Sequence, residues 1–157
     1  MRLALAFLVL AGCASYDGRS LTPGVSTAAE VEAVMGAAAE RRTGPTGETV
    51  LWYPRPPYAN YAARIGADGK LIAVEQRLSQ ENVDKLKPGA SRAGEVRDLL
   101  GPPQRIERFA RKQVDAWTYQ VQGFDAQLIV VEISPDEVVR TAYVFSDPDK
   151  QARDGPQ

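Results

Sequence analysis

Residues 86–103 read Leu86-Lys87-Pro88-Gly89-Ala90-Ser91-Arg92-Ala93-Gly94-Glu95-Val96-Arg97-Asp98-Leu99-Leu100-Gly101-Pro102-Pro103. Pro88-Gly89 marks a tight turn, Ser91 is the expected helix N-cap, and Val96, Leu99 and Leu100 fall on one helical face. Gly101 stops that helix, and Pro102-Pro103 force the chain beyond it to extend. The same pattern occurs 65 residues earlier, from Leu21 to Gly36, with Leu21, Pro23, Gly24, Ser26, Ala28, Glu30, Val31 and Gly36 all recurring. That is eight identities in sixteen positions, and the two tryptophans, Trp52 and Trp117, keep the same offset. Two alanine-rich helices can share a few residues by chance, but not the turn, cap and stop residues together. The chain is one unit used twice.

Outward from the second copy, residues 82–87 form a short leading helical turn. Residues 105–110 and 114–121 are expected strands around the polar turn Arg111-Lys112-Gln113. Residues 126–133 are nearly all apolar, as in a central strand, and Pro135-Asp136-Glu137 turns the chain into a last strand at 138–145. In the first copy Thr27, or Ser26, caps the helix, and Thr27-Ala28-Ala29-Glu30 fits a capping box. Val31, Val34 and Met35 form the apolar face, and Gly36 ends it. Strands follow at 40–43 and 48–53, around a turn at Gly44-Pro45-Thr46-Gly47. Pro54, Pro56 and Pro57 break the second of these, which suggests a sheet edge. A hairpin turn at Ala67-Asp68-Gly69-Lys70 joins strands at 58–65 and 71–78. The fold class is α+β with two tandem modules, 21–78 and 79–146. Each has a short helix or helix pair on one face of a three- or four-stranded antiparallel sheet. Residues 147–157 are polar, contain Pro and Gly, and are expected to be disordered.

Alternation along a strand puts Trp117, Tyr119 and Val121 on one side, where with Val96, Leu99 and Leu100 they make a helix–sheet core rather than a ligand-binding aromatic set. The other side carries Val114, Ala116, Thr118 and Gln120, joined by either Arg140, Ala142 and Val144 or Thr141, Tyr143 and Phe145. Residues 126–133 are apolar on both faces, and one helical layer cannot cover both. The helix-free face of the second sheet is therefore expected to bury against the first unit or a partner. Arg105, Arg108, Arg111 and Lys112 are a small basic cluster that suits anionic headgroups or an acidic partner. Glu107 interrupts it, which favours a solvated hairpin. Glu30 and Glu95 sit in first helical turns, where a carboxylate complements the helix dipole.

Composition narrows the chemistry. The chain has 157 residues and a net charge of −1, which leaves no electrostatic footprint for nucleic acid. It has no histidine and a single cysteine, Cys13, so no intrachain disulfide and no Cys/His zinc site can form. A serine nucleophile would need a Lys or carboxylate base, and no such constellation is visible. No glycine-rich phosphate loop is present, because Gly101-Pro102-Pro103 ends a helix rather than opening one. No catalytic residue, metal or cofactor is expected, and the chain is read as a non-enzyme.

The first residues point to export. Met1-Arg2 precedes the apolar run 3–10, too short to span a bilayer but suited to the core of a secretory signal. The run ends in Leu10-Ala11-Gly12-Cys13, which resembles the bacterial lipobox: small residues enter the signal peptidase, and the Cys13 thiol accepts diacylglycerol. The alternative is a plain signal peptide with an incidental cysteine. The lipobox reading makes 1–12 the signal, 13–20 a lipid-anchored linker, and the acyl chains the membrane partner. Ala14 rather than Asp follows the cysteine, which by resemblance to lipoprotein sorting favours the outer membrane, facing the periplasm, over inner-membrane retention.

The pattern Leu-x-Pro-Gly-x-Ser-x-x-x-Glu-Val-x-x-Leu-Leu-Gly-Pro-Pro, then Trp117-x-Tyr119 and two further strands, resembles the BamE (SmpA/OmlA) lipoprotein family. Members are small periplasmic subunits of the outer-membrane β-barrel assembly machinery. The resemblance covers 82–145 well and 21–78 more loosely. In the first copy Gly36-Ala37-Ala38 replaces Gly-Pro-Pro, and Trp52-Tyr53-Pro54 replaces Trp-x-Tyr. The doubled module is also similar in shape to the β-lactamase inhibitor protein. Pro23, Gly24, Gly36, Trp52, Pro88, Gly89, Gly101, Trp117 and Tyr119 are then architectural motif residues, and no partner-contact residue carries over. The resemblance implies a non-catalytic binding or scaffold subunit in outer-membrane protein assembly or envelope integrity. The alternative is a tandem-module inhibitor or sequestering protein of a periplasmic enzyme.

Overall fold

The computed structural model describes residues 17–55, 59–121 and 127–146. The lipobox with Cys13, the residues Pro56, Pro57 and Tyr58, and the tail 147–157 lie outside them. Helix α1 (Ala28–Met35) precedes strands β1 (Glu40–Thr43), β2 (Thr49–Arg55), β3 (Ala59–Ile65) and β4 (Leu71–Gln76). Helices α2 (Gln80–Asp84) and α3 (Ala93–Leu100) then precede β5 (Arg105–Phe109), β6 (Val114–Val121), β7 (Gln127–Ile133) and β8 (Val139–Ser146). Each set of four strands forms its own antiparallel sheet in sequence order. The fold is α+β with two tandem modules.

The repeated motif works as a clamp. Gly24 and Gly89, with φ of 77° and 78°, turn the chain so that their N–H groups donate to the carbonyls of Leu71 and Val139, each at 2.8 Å. The N–H groups of Leu71 and Val139 donate back to the carbonyls of Ser26 and Ser91, at 2.7 and 2.8 Å. In both modules the motif thus grips the first residue of the last strand. The serine hydroxyls face the other way and accept from Thr22 N and Lys87 N, both at 3.0 Å. Ser91 is therefore not the helix cap that its position suggests. The N-cap of α3 is Arg92, which makes no side-chain cap bond, whereas Thr27 and Glu30 complete a full capping box on α1. Serine is repeated because both turns need a hydroxyl to close them.

Two cores follow the expected faces. Val31, Met35, Leu51, Tyr53, Ala63, Ile65 and Leu71 pack between α1 and the first sheet. Val96, Leu100, Trp117, Tyr119, Ile129 and Val131 pack between α3 and the second, with Leu99 and Val121 at the margin. Leu78, placed by sequence at the end of the first module, packs in the second core.

The tryptophans correct the sequence alignment. Trp117 lies in the core beneath α3, but Trp52 lies on the face of its sheet away from α1, opposite Ala62. Strand pairing explains this. Glu40 opposes Trp52 in the first sheet, while Arg105, its counterpart, opposes Thr118 in the second. The equivalent of Trp52 is therefore Thr118, and that of Tyr53 is Tyr119. A one-residue slip in a strand reverses every side chain. The proline break is corrected too, because β2 is an inner strand paired on both sides and continues through Pro54 to Arg55. Proline is tolerated there because β1 begins at Glu40, opposite Trp52, and so does not reach Pro54, which is paired with β3 alone.

The modules stack in series. The helix-free face of the first sheet meets the end of α3. Asn60 Nδ2 donates to the carbonyls of Leu100 (2.8 Å) and Pro102 (3.1 Å). The Arg77 guanidinium donates to the carbonyls of Leu99 and Asp98, both at 3.2 Å. Those four carbonyls belong to the last turn and exit of α3, where the helix cannot satisfy its own acceptors. Two ion pairs flank them, Arg97–Glu40 and Arg42–Asp98, both at 2.9 Å. The layers thus run α1, first sheet, α2 and α3, second sheet. The first unit covers α3, not the helix-free face of the second sheet. The expectation that this face buries against the first unit is overturned.

Candidate functional site

The outermost layer leaves one sheet face open. By strand register it carries Arg105, Glu107 and Phe109 of β5, Ala116 and Thr118 of β6, Leu128, Val130 and Glu132 of β7, and Thr141, Tyr143 and Phe145 of β8. Ala142 and Val144 pack in the core instead. Arg140 sits beside a register shift near Glu132 and Ile133, and donates to the Lys112 carbonyl at 3.4 Å. Phe109 and Tyr143 are 43% exposed and Phe145 is 37% exposed, which is high for rings on a sheet whose other face is a packed core. The Tyr143 and Phe145 centroids lie 5.7 Å apart. Together with Leu128 and Val130 they line a shallow groove of about 270 Å³. Val130 and Ala116 on this face are themselves buried, so its exposed apolar area is chiefly that of the rings; such an area with a polar margin marks a contact site more often than an idle surface.

The margin is charge-balanced. Arg105 pairs with Glu107, and Lys112 reaches Glu132 at 3.5 Å. Arg108 lies on the opposite face and pairs with Asp115 at 2.7 Å, a bond that holds the Asp115 carboxyl below its usual range. Arg105, Arg108 and Lys112 of the basic cluster are thus divided between two faces and paired with carboxylates, and Arg111 is exposed in the turn between β5 and β6.

The sequence motif residues lie elsewhere. Pro23, Gly24, Pro88 and Gly89 build the strand clamps, and Trp117 and Tyr119 sit in the core. The Arg97 guanidinium lies 5.1 Å from the Trp117 ring centre, and Tyr119 donates to the Gly101 carbonyl at 3.1 Å. Burial pushes the Tyr119 phenol strongly up. Its counterpart Tyr53 is equally buried but finds no hydrogen-bond partner among the described residues, and burial pushes its phenol up to about 12. Gly36 and Gly101 also differ. Both have positive φ, but a Cβ on Gly36 meets nothing within 4 Å, whereas one on Gly101 comes 2.5 Å from the Trp52 ring. Gly101 and Trp52 are the seal between the modules.

Among the described residues no group of three His, Cys, Asp or Glu side chains is placed to hold a metal. Sequence reasoning pointed to the open face through the two-sided apolarity of 126–133 but left open which set of last-strand side chains joins it. Tyr143 and Phe145 were visible as that set's aromatic members; only the register with β7 assigns them.

Neither protein-family models nor curated proteins match the chain. Among solved structures it is similar to a DUF4309 family protein (YjgB) from Bacillus subtilis, at 15% identity over 82% of this chain and 84% of that one. The TM-score of 0.34 is too low to carry any argument about function.

Proposed function

We propose that this chain is a periplasm-facing outer-membrane lipoprotein that acts without catalysis, as a protein-binding or scaffold subunit in envelope assembly. The open face of the second sheet is its docking surface. The observation that carries this reading is the pairing of an aromatic-lined, uncovered sheet face with a lipobox at the other end of the chain. Burial of exposed rings such as Tyr143 and Phe145 is what anchors protein contacts, at about 1.5–3 kcal/mol for a fully buried large side chain.

The entry of the chain into the fold supports the arrangement. Gly18 is buried, and a Cβ on it would come 3.0 Å from the Met35 sulfur and 3.1 Å from Leu21. The expected linker 13–20 thus joins the fold at Gly18, and the reach from Cys13 is at most about 18 Å. The lipid then enters beside α1, at the end of the stack away from the open face, so anchoring leaves that face uncovered. Cys13→Ser tests the anchor. The variant is expected to leave the outer-membrane fraction and appear in the soluble periplasmic fraction; unchanged membrane fractionation contradicts the lipid reading.

A further inference from the structure

We infer that the open face takes the end of helix α1 from a second copy of this chain, so that copies stack head to tail. The inference rests on the docking reading above and names the partner.

The molecule already contains one such junction, because the equivalent face of the first sheet receives the end of α3. Applying the same step once more places an α1 end on the second sheet. This is a heterologous contact that repeats without closing. One of the two ion pairs that flank the internal junction has a charge-complementary counterpart in this next step, while Arg42–Asp98 is replaced by Glu107 and Ala33. Strand pairing makes Arg105 the counterpart of Glu40, and the 65-residue repeat makes Glu32 the counterpart of Arg97. The internal ion pair Arg97–Glu40 therefore becomes Glu32–Arg105, with both signs exchanged and attraction kept. Glu32 is otherwise held by Arg41 and Arg105 by Glu107, both solvent-accessible pairs that cost little to rearrange.

One of the four junction carbonyls is provided for as well. In the internal junction Asn60 satisfies the Leu100 carbonyl. The counterpart of Asn60 is Leu128, and that of Arg77 is Phe145, neither of which donates. An apolar receiver suits α1, because the Met35 carbonyl is already held within its own module by Arg55, at 2.6 Å. At the centre, Thr118 stands where Trp52 covers Gly101, so Gly36 meets a smaller side chain. Since each copy carries its own short tether, such a stack runs along the bilayer surface.

Cysteine pairs test this in envelopes holding the lipidated chain, where acylated Cys13 has no free thiol. Ala37→Cys and Thr118→Cys lie on opposite sides of the predicted contact. With a short bismaleimide, adducts between copies are expected only when both cysteines are present, in one chain as a ladder or in a mixture of single variants as a dimer. Arg105→Glu should reduce the yield at least about tenfold, and adding Glu32→Arg should restore it. No adduct between copies, adducts from either single variant alone, or indifference to the charge exchange overturns the inference. An adduct from Thr118→Cys to a different protein overturns the second copy as occupant but leaves the docking reading in place. A face that reaches no protein removes both.

Discussion

At the scale of single residues, duplicated positions have acquired different duties. Gly36 and Gly101 share a backbone conformation, but only Gly101 lies under Trp52. Gly36→Ala should cost about 1–3 kcal/mol, the strain of a side chain in an extended backbone with positive φ that only glycine adopts readily. Gly101→Ala adds an overpacking penalty of about 1–3 kcal/mol, and Trp52→Ala in the same chain should relieve the part due to the ring, leaving the approach to Asn60 Nδ2 at 2.7 Å. Urea denaturation of these three variants and of Trp52→Ala alone reads it, and equal costs at the two glycines would refute the seal. The tyrosines form a similar pair. Tyr119→Phe loses a buried hydrogen bond and should cost about 1 kcal/mol, whereas Tyr53→Phe removes an unpartnered buried hydroxyl and should be neutral or stabilising. Both phenols are held neutral by burial, so the unfolded chain releases protons first as pH rises. The tyrosine contribution to stability should therefore be level up to about pH 10 and fall above it, as far as about pH 12 for Tyr53. The Tyr53→Phe variant should lose part of that fall.

At the scale of elements, the same motif closes two turns and starts two helices, but only one helix is capped by a side chain. Ser26→Ala and Ser91→Ala should each cost about 1 kcal/mol through loss of the turn hydrogen bond. Arg92→Ala should cost nothing through capping; a Ser91 loss that disappears when Arg92 is changed to Ser would return the serine to the cap role. Ser91 was misread because a serine just before an apolar period has two possible acceptances, and only the path of the turn decides between them. The strands were legible to within a residue or two, since alternation and Gly/Pro punctuation mark them. Their register between copies was not. The tryptophan offset looked like alignment, yet the first copy has one residue fewer between Glu40 and Tyr53 than the second has between Arg105 and Tyr119, which puts Trp52 and Trp117 on opposite faces. Pro54 likewise looked like an edge because the length of β1 cannot be read from β2.

At the scale of the whole molecule, duplication supplies two sheets, each with one helix-free face, and a serial stack can cover only one of them from within. That the second face would need a cover was legible in the two-sided apolarity of residues 126–133. That the first face would be taken by α3 was not, because Asn60 and Arg77 read as ordinary polar strand residues until the α3 carbonyls are placed above them. Whether the face bearing Leu128, Val130, Tyr143 and Phe145 contacts protein in the cell therefore decides the function. A photo-crosslinking side chain at position 143 of the lipidated chain measures this directly. Adducts of discrete mass should form from position 143 and be absent from a control at position 68, in the hairpin turn of the first module. If position 143 yields no protein adduct while the chain is folded and in the outer membrane, the open face is not a docking surface and the account is wrong.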